Sequence, residues 1–142
     1  MGLTPLGGII SGSRTGDIDP GAPLFILRKI AETVKDATDL LDGFVSKKSG
    51  LLGVSELSSD MRDLRGAIAN GNTKARLAVD KFTWMIAKWI GGYVAKLGGL
   101  DMPVFTGGIR ENDIASRAEI CADWARWASR STRRATTSMA RR

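Results

Sequence analysis

The chain of 142 residues carries 21 lysines and arginines against 15 acidic residues, a formal charge of +6, with no histidine and one cysteine. It is long enough for one domain with a core, and its composition excludes Cys/His zinc sites, Ser-His-Asp triads and Cys-His dyads from this chain. The excess charge is local: residues 123–142 hold six arginines and one aspartate, and the other 122 residues balance to +1, so the body offers no strongly basic face to nucleic acid.

In chain order, residues 1–21 are rich in Gly, Ser, Thr and Asp around Leu3, Leu6, Ile9 and Ile10, which reads as a strand or extended chain followed by the loop SGSRTGDIDPG. Pro20 favours a helical first turn, and APLFILRKIA (22–31) reads as a short buried helix. Val34, Ala37, Leu40, Leu41, Phe44 and Val45 recur at helical spacing. KKSGLLGVSELSS is a glycine-punctuated loop. Asp60 is suited to N-cap the next helix, with Asp63 in its first turn, and Asn70-Gly71-Asn72 stops it.

Residues 73–98 form the strongest periodic pattern: Ala78, Phe82, Met85, Ile86, Trp89, Ile90, Tyr93, Val94 and Leu97 lie on one helical face. Gly91 and Gly92 inside it cost roughly 1 kcal/mol each relative to alanine, which predicts a compensating close approach by another backbone. Trp84, Trp89 and Tyr93 read as core or interface packing. MPVFT (102–106) reads as a strand, ending in a Gly pair and a polar turn, and a last helix begins at 113. No apolar run approaches the about 18 residues of a membrane span, and residues 1–21 lack the charge and hydropathy order of a secretory signal. The expected location is cytoplasmic. Cys121 reads as a small buried side chain.

Three places carry possible chemistry. A strand running into the glycine pair of VFTGGIREN is an arrangement that brings backbone N–H groups close to a phosphate or ribose, and it also occurs in α/β proteins that bind no nucleotide. Arg14, among small residues and near Asp17 and Asp19, is placed either to fork onto a phosphoryl group or as a solvated turn arginine. Asp60 and Arg62, at a helix start, are either nucleotide contacts or a plain cap. Lys47 and Lys48 beside Ser49-Gly50 lack the P-loop spacing.

Taken in order, MGLTPLGG, SGSRTGDIDPG, KKSGLLGVSELSSDMRDL, KFTWMIAKWIGGYVAKLGGLD and VFTGGIREN, spread over residues 1 to about 122, resemble the acetate/propionate/butyrate kinase family. The resemblance implies an α/β fold, here part of a ribonuclease H-like domain of the actin/hexokinase/heat-shock protein 70 superfold, entered partway and helix-rich. It implies a phosphotransferase that makes acetyl phosphate and ADP from acetate and ATP with Mg²⁺, working as a homodimer. Carried over by position, Arg14 is the catalytic arginine that contacts the carboxylate substrate and the transferring phosphoryl group. Asp60, Met61 and Arg62 fall on one nucleotide-binding segment. Gly108, Ile109, Arg110, Glu111 and Asn112 fall on the second, whose family pattern is GIGEN. Arg110 replaces the middle glycine, and strain or a clash is expected there if that glycine has positive φ.

The family's catalytic aspartate, second substrate arginine, active-site histidine and Mg²⁺ contacts have no counterpart in this chain, so no metal ligand is assigned. An isolated chain of this sequence is therefore expected to be inactive. The alternative is a non-catalytic dimerisation or nucleotide-binding remnant.

The resemblance ends near Ala122, dividing the chain into a kinase-like part (1–122) and a basic tail (123–142). Read two bases later, codons for Asp123-Trp124 force Leu, and those for Trp124-Ala125 and Trp127-Ala128 each force Gly. The shifted frame thus permits LGxLGIxID, close to the family's LGxLGIxLD. The expectation is that the tail is the out-of-frame product of a degraded or mis-sequenced gene, which removes the basis for nucleic-acid binding through it.

Overall fold

A computed structural model describes residues 3–108 and 112–122. Five helices run in order: α1 (Gly21–Ala31), α2 (Ala37–Lys47), α3 (Gly50–Ser55), α4 (Met61–Ala69) and α5 (Thr73–Leu97), with a further helix over 114–122. One compact unit ends at Phe82 and a second begins at Thr83.

In the first unit the buried apolar groups are Ile10, Ala37, Leu51, Met61, Leu64, Ala75, Ala78, Val79 and Phe82. The helix boundaries follow from local chemistry. The Asp60 carboxylate accepts the Arg62 N–H at 2.8 Å and caps α4, satisfying one of the donors a helix leaves free at its start. Gly71, at φ +84°, lets the chain turn out of α4: its N–H donates to Ile68 C=O at 2.9 Å and Asn72 N–H to Ala67 C=O at 3.0 Å. The Asn72 side chain then accepts the Ala75 N–H at 2.9 Å at the start of α5.

Four expectations are corrected. The loop expected over 47–59 contains α3, where Leu51 is buried and Gly50 begins the helix at φ +64°. Helix α1 packs on α2 but buries none of its residues: Leu24, Phe25 and Ile26 are all exposed. No β-strand forms among the described residues, neither in 3–20 nor at 102–106, because an extended segment without a hydrogen-bonding neighbour has no ladder. The α/β expectation is therefore met here only by its helical half.

The fourth correction concerns α5. The apolar stripe is continuous, but only its first half is buried. Ala78, Phe82, Met85 and Ile86 are inside, whereas Trp84, Trp89, Tyr93 and Leu97 are exposed. Trp89 and Tyr93 stack with ring centroids 5.9 Å apart, and Lys88 lies over Trp84 at 5.7 Å. Nothing lies within 4 Å of a Cβ built on Gly91 or Gly92, so no backbone compensates for their helical cost among the described residues. In this second unit Ile120 and Ser116 are also buried, and Asp113 caps the last helix by accepting the Ser116 N–H at 3.1 Å.

Candidate functional site

The Arg14 loop is fixed from two sides. On one side Leu51 N–H donates to Ser11 C=O and Leu52 N–H to Gly12 C=O, both at 2.9 Å, Ser49 N–H donates to Ser13 C=O at 2.9 Å, and Thr15 N–H donates to Val45 C=O at 3.1 Å. The start of α3 therefore uses its unpaired N–H groups to hold the loop carbonyls. This requires Gly50, since a Cβ there would stand 2.2 Å from Ser11 O and 2.8 Å from Arg14 O. On the other side Gly16 is buried at φ +67°, where a Cβ would meet Ile10 N at 2.6 Å. The Gly8 N–H donates to Asp17 Oδ1, and Asp17 N–H donates to Gly8 C=O, each at 2.7 Å.

The Arg14 backbone is thus immobilised, while its side chain is exposed and makes one long hydrogen bond, from Nη1 to Pro5 C=O at 3.5 Å. Asp17 and Asp19, candidates for company to Arg14, have structural duties instead: Asp19 Oδ1 accepts the Gly21 N–H at 2.7 Å at the start of α1. Pro5 was not marked by any local pattern. Its approach to Arg14 depends on the fold-back of residues 5–14, and only a contact across nine residues could have revealed it.

The second cluster is the turn before α4. The buried Ser55 hydroxyl gathers the Leu57 and Ser58 N–H groups at 3.2 and 3.3 Å. Ser58 Oγ accepts the Asp60 N–H at 3.0 Å and donates to Asp63 Oδ2 at 2.7 Å. This network sets the position of Asp60, whose carboxylate is forked by Arg62 through Nε at 3.0 and 3.2 Å and Nη2 at 2.5 Å. The guanidinium, with help from the Arg62 backbone N–H, holds the Asp60 carboxyl at about 2, well below its ordinary value. The Arg62 side chain is otherwise almost fully exposed. Met61 points into the core at 4% exposure, so this residue can offer a ligand only its backbone.

The two clusters meet in the first unit: a Cβ on Gly12 would lie 3.1 Å from Ser59 O. The Arg14 loop and the Asp60 turn are therefore in van der Waals contact through a residue that must stay small. An apolar cleft of about 530 Å³ runs beside the Arg14 loop, lined among others by Leu6, Thr15, Ile18, Leu41 and Val45. Arg14 itself does not line it.

In the second unit, Asn112 Nδ2 donates to Gly108 C=O at 2.8 Å. Gly107 has φ +84°, and a Cβ on either Gly107 or Gly108 would meet nothing within 4 Å, leaving room for a ligand against the backbone. Ile109, Arg110 and Glu111, and with them the strain expected at Arg110, lie outside the described residues, as does the tail at 123–142.

A sequence model of the acetokinase family matches residues 1–129. The chain belongs to the acetokinase family. It is 50% identical over 121 residues to the acetate kinase of Phocaeicola vulgatus, a match covering 85% of this chain and 29% of that protein. It is 49% identical over 123 residues to that of Bacteroides thetaiotaomicron, covering 87% of this chain and 30% of the relative. Among solved structures, Porphyromonas gingivalis acetate kinase superposes with a TM-score of 0.78 at 43% identity, over 87% of this chain and 30% of that one. A propionate kinase from Francisella tularensis gives 0.77 at 37%, over 89% and 32%. The chain thus spans about three tenths of the length of the relatives it matches. Among the described residues, no helix is long and apolar enough to cross a membrane.

Proposed function

We propose that this chain is part of a phosphotransferase that moves a phosphoryl group from ATP to a small carboxylate, acetate being the first candidate, and that it supplies one wall of the cleft. The observation that carries this reading is Arg14, with its backbone pinned by α3 and its guanidinium exposed. A fixed cation there is suited to neutralise charge that spreads over the equatorial oxygens during in-line transfer. Asp60 and Arg62 are assigned to the nucleotide, as are Gly108, Ile109, Arg110, Glu111 and Asn112. In the first unit the exposed guanidinium of Arg62 suits an anionic ligand, and in the second the backbone at Gly107-Gly108 is by itself open to one. The family fold is read as a ribonuclease H-like domain of the actin superfold, of which this chain forms helical parts, and the location as cytoplasmic.

Among the described residues no three Asp, Glu, His or Cys side chains converge. The role given to Arg14 is stated without a metal. The family's catalytic aspartate and second substrate arginine have no counterpart among these residues, so acetate-dependent formation of acetyl phosphate by the purified chain should stay at background. Turnover well above it overturns the assignment of an incomplete cleft. Titration with ADP tests the nucleotide wall: Arg62→Ala should weaken binding about tenfold, the scale of one charge-assisted hydrogen bond.

A second reading, a non-catalytic self-associating or nucleotide-binding remnant, is favoured by the exposed aromatic face of α5 and the open space over Gly91-Gly92. It predicts a homodimer in sedimentation whether or not ADP binds. The tail remains assigned as out-of-frame, which the gene sequence tests directly.

A further inference from the structure

Gly12 stands between the two clusters of the first unit. Its C=O accepts the Leu52 N–H at 2.9 Å, and its neighbour Ser11 is bonded to Arg14 twice: Ser11 N–H donates to Arg14 C=O and Arg14 N–H donates to Ser11 Oγ, each at 3.2 Å. On its other side lies Ser59, whose carbonyl oxygen and Cβ would stand 3.1 and 3.2 Å from a Cβ on Gly12. Ser59 is itself held between Ser58, whose Oγ accepts the Asp60 N–H at 3.0 Å, and Asp60, the cap of α4. Gly12 does not have positive φ, so no turn geometry demands a glycine here. The approach of Ser59 is what leaves no room for a side chain. Two residues of chain reach at most about 7 Å, so this contact keeps the Arg14 and Asp60 Cα atoms within roughly 15 Å of each other. One ligand with a phosphoryl group at one end and a nucleoside at the other can bridge that separation.

We propose that Gly12 is a positioning residue: it sets the spacing between the guanidinium that meets the terminal phosphoryl group and the turn that meets the nucleoside, and with it the length of phosphate chain the site prefers. The inference rests on the reading of Arg14 and Asp60-Arg62 as two ends of one nucleotide site. Gly16 and Gly50 have a different duty. Both have positive φ and crowd the backbone of the Arg14 loop or its approach, so replacing them disturbs the loop itself. A methyl on Gly12 strains no dihedral and asks Ser59 to give by a few tenths of an ångström. Loop and turn both survive, set slightly further apart. A bridging ligand then loses alignment at one end, whereas a ligand held at one end alone keeps its contacts.

The test titrates the 142-residue chain with ATP and with AMP, without divalent cation, and follows backbone amide shifts by NMR. ATP should bind at least about tenfold more tightly than AMP, the scale of one charge-assisted hydrogen bond, and Arg14→Ala should abolish that preference. Gly12→Ala should move the Ser59, Asp60 and Arg62 amides of the free chain, keep AMP affinity within about twofold and cut the preference for ATP to about threefold or less. Gly43→Ala adds a methyl inside α2 with nothing within 4 Å of it and should keep the full preference. Gly12→Ala should unfold near the urea midpoint of the unaltered chain. If it does not fold, Ser59→Gly decides instead: it opens the same contact from the other side without adding a group, and should lower the preference likewise. A preference for ATP that survives the change at this contact, or unmoved Asp60 and Arg62 amides, overturns the proposal alone. A chain that binds ATP no better than AMP, or that keeps the preference in Arg14→Ala, overturns the two-ended site and the proposal with it.

Discussion

Substituting Gly50 by alanine tests how the Arg14 loop is held. At φ +64° an alanine is strained by about 1–2 kcal/mol. The added methyl would also stand 2.2 Å from Ser11 O and 2.9 Å from Arg14 N, both backbone atoms that no rotamer change can move. The loop must retreat by more than an ångström to reach ordinary contact, which breaks the bonds from Leu51 and Leu52 N–H to Ser11 and Gly12 C=O, at about 1 kcal/mol each. The expected loss is about 3–4 kcal/mol, a large share of the roughly 5–15 kcal/mol that holds a domain. Gly71→Ala is the control, because Gly71 has φ +84° but nothing within 4 Å of its Cβ. It should lose only the strain, about 1–2 kcal/mol. The assay is urea unfolding followed by far-UV circular dichroism, since the four tryptophans, at 84, 89, 124 and 127, all lie outside the first unit. If Gly50→Ala shifts the midpoint no further than Gly71→Ala, the close approach of α3 to the Arg14 loop is wrong.

Leu64→Ala empties a fully buried position in α4 and should cost about 2–5 kcal/mol in the same assay. Gly66→Ala, at an exposed position inside α4 with nothing near its Cβ, should instead stabilise by about 1 kcal/mol. Carbon-detected NMR titration should place the Asp60 carboxyl near 2, and Arg62→Ala should return it toward 3.8. Because the folded value is the lower one, the stability this pair adds is present above the unfolded value of 3.8 and disappears as pH falls through about 2; Arg62→Ala should flatten that part of the stability profile.

Local chemistry was legible in the sequence. Asp60 caps α4 as its position before Met61 indicated, and Asn70-Gly71-Asn72 ends it with Gly71 in the left-handed region. The long periodic stretch is one helix, Thr73–Leu97. What escaped was set by contacts distant in sequence. Glycines over 47–59 read as a loop, but Gly50 is there because α3 must approach Ser11, and that need is invisible until the two segments are placed together. Arg14 could be named from its surroundings, whereas its neighbour Pro5 could not. Asp60 was legible as a cap, whereas the fork of its carboxylate by Arg62, two residues on, was not, and the structure holds both at once. Engagement of Arg62 by a nucleotide would therefore compete with the intramolecular fork.

The departures from expectation share one cause. Helix α1 is apolar over most of its circumference, Arg28 and Lys29 in its last turn apart, a pattern that suits a largely enclosed helix, and it buries no residue. The 102–106 segment has a strand's composition and no ladder, and Gly91-Gly92 has a close-packing signal and no close neighbour. At each of these places the local sequence is suited to a tertiary partner that the described residues do not provide. The Asp60 cap, the turn at Gly71 and the Arg14 loop, which need only neighbours within the first unit, are hydrogen-bonded. Selection for a free-standing surface would have put charge on Leu24, Phe25 and Val104, since bare apolar edges invite aggregation. Leu24, Phe25 and Val104 are therefore the surface that any covering segment, of this protein or another, would bury.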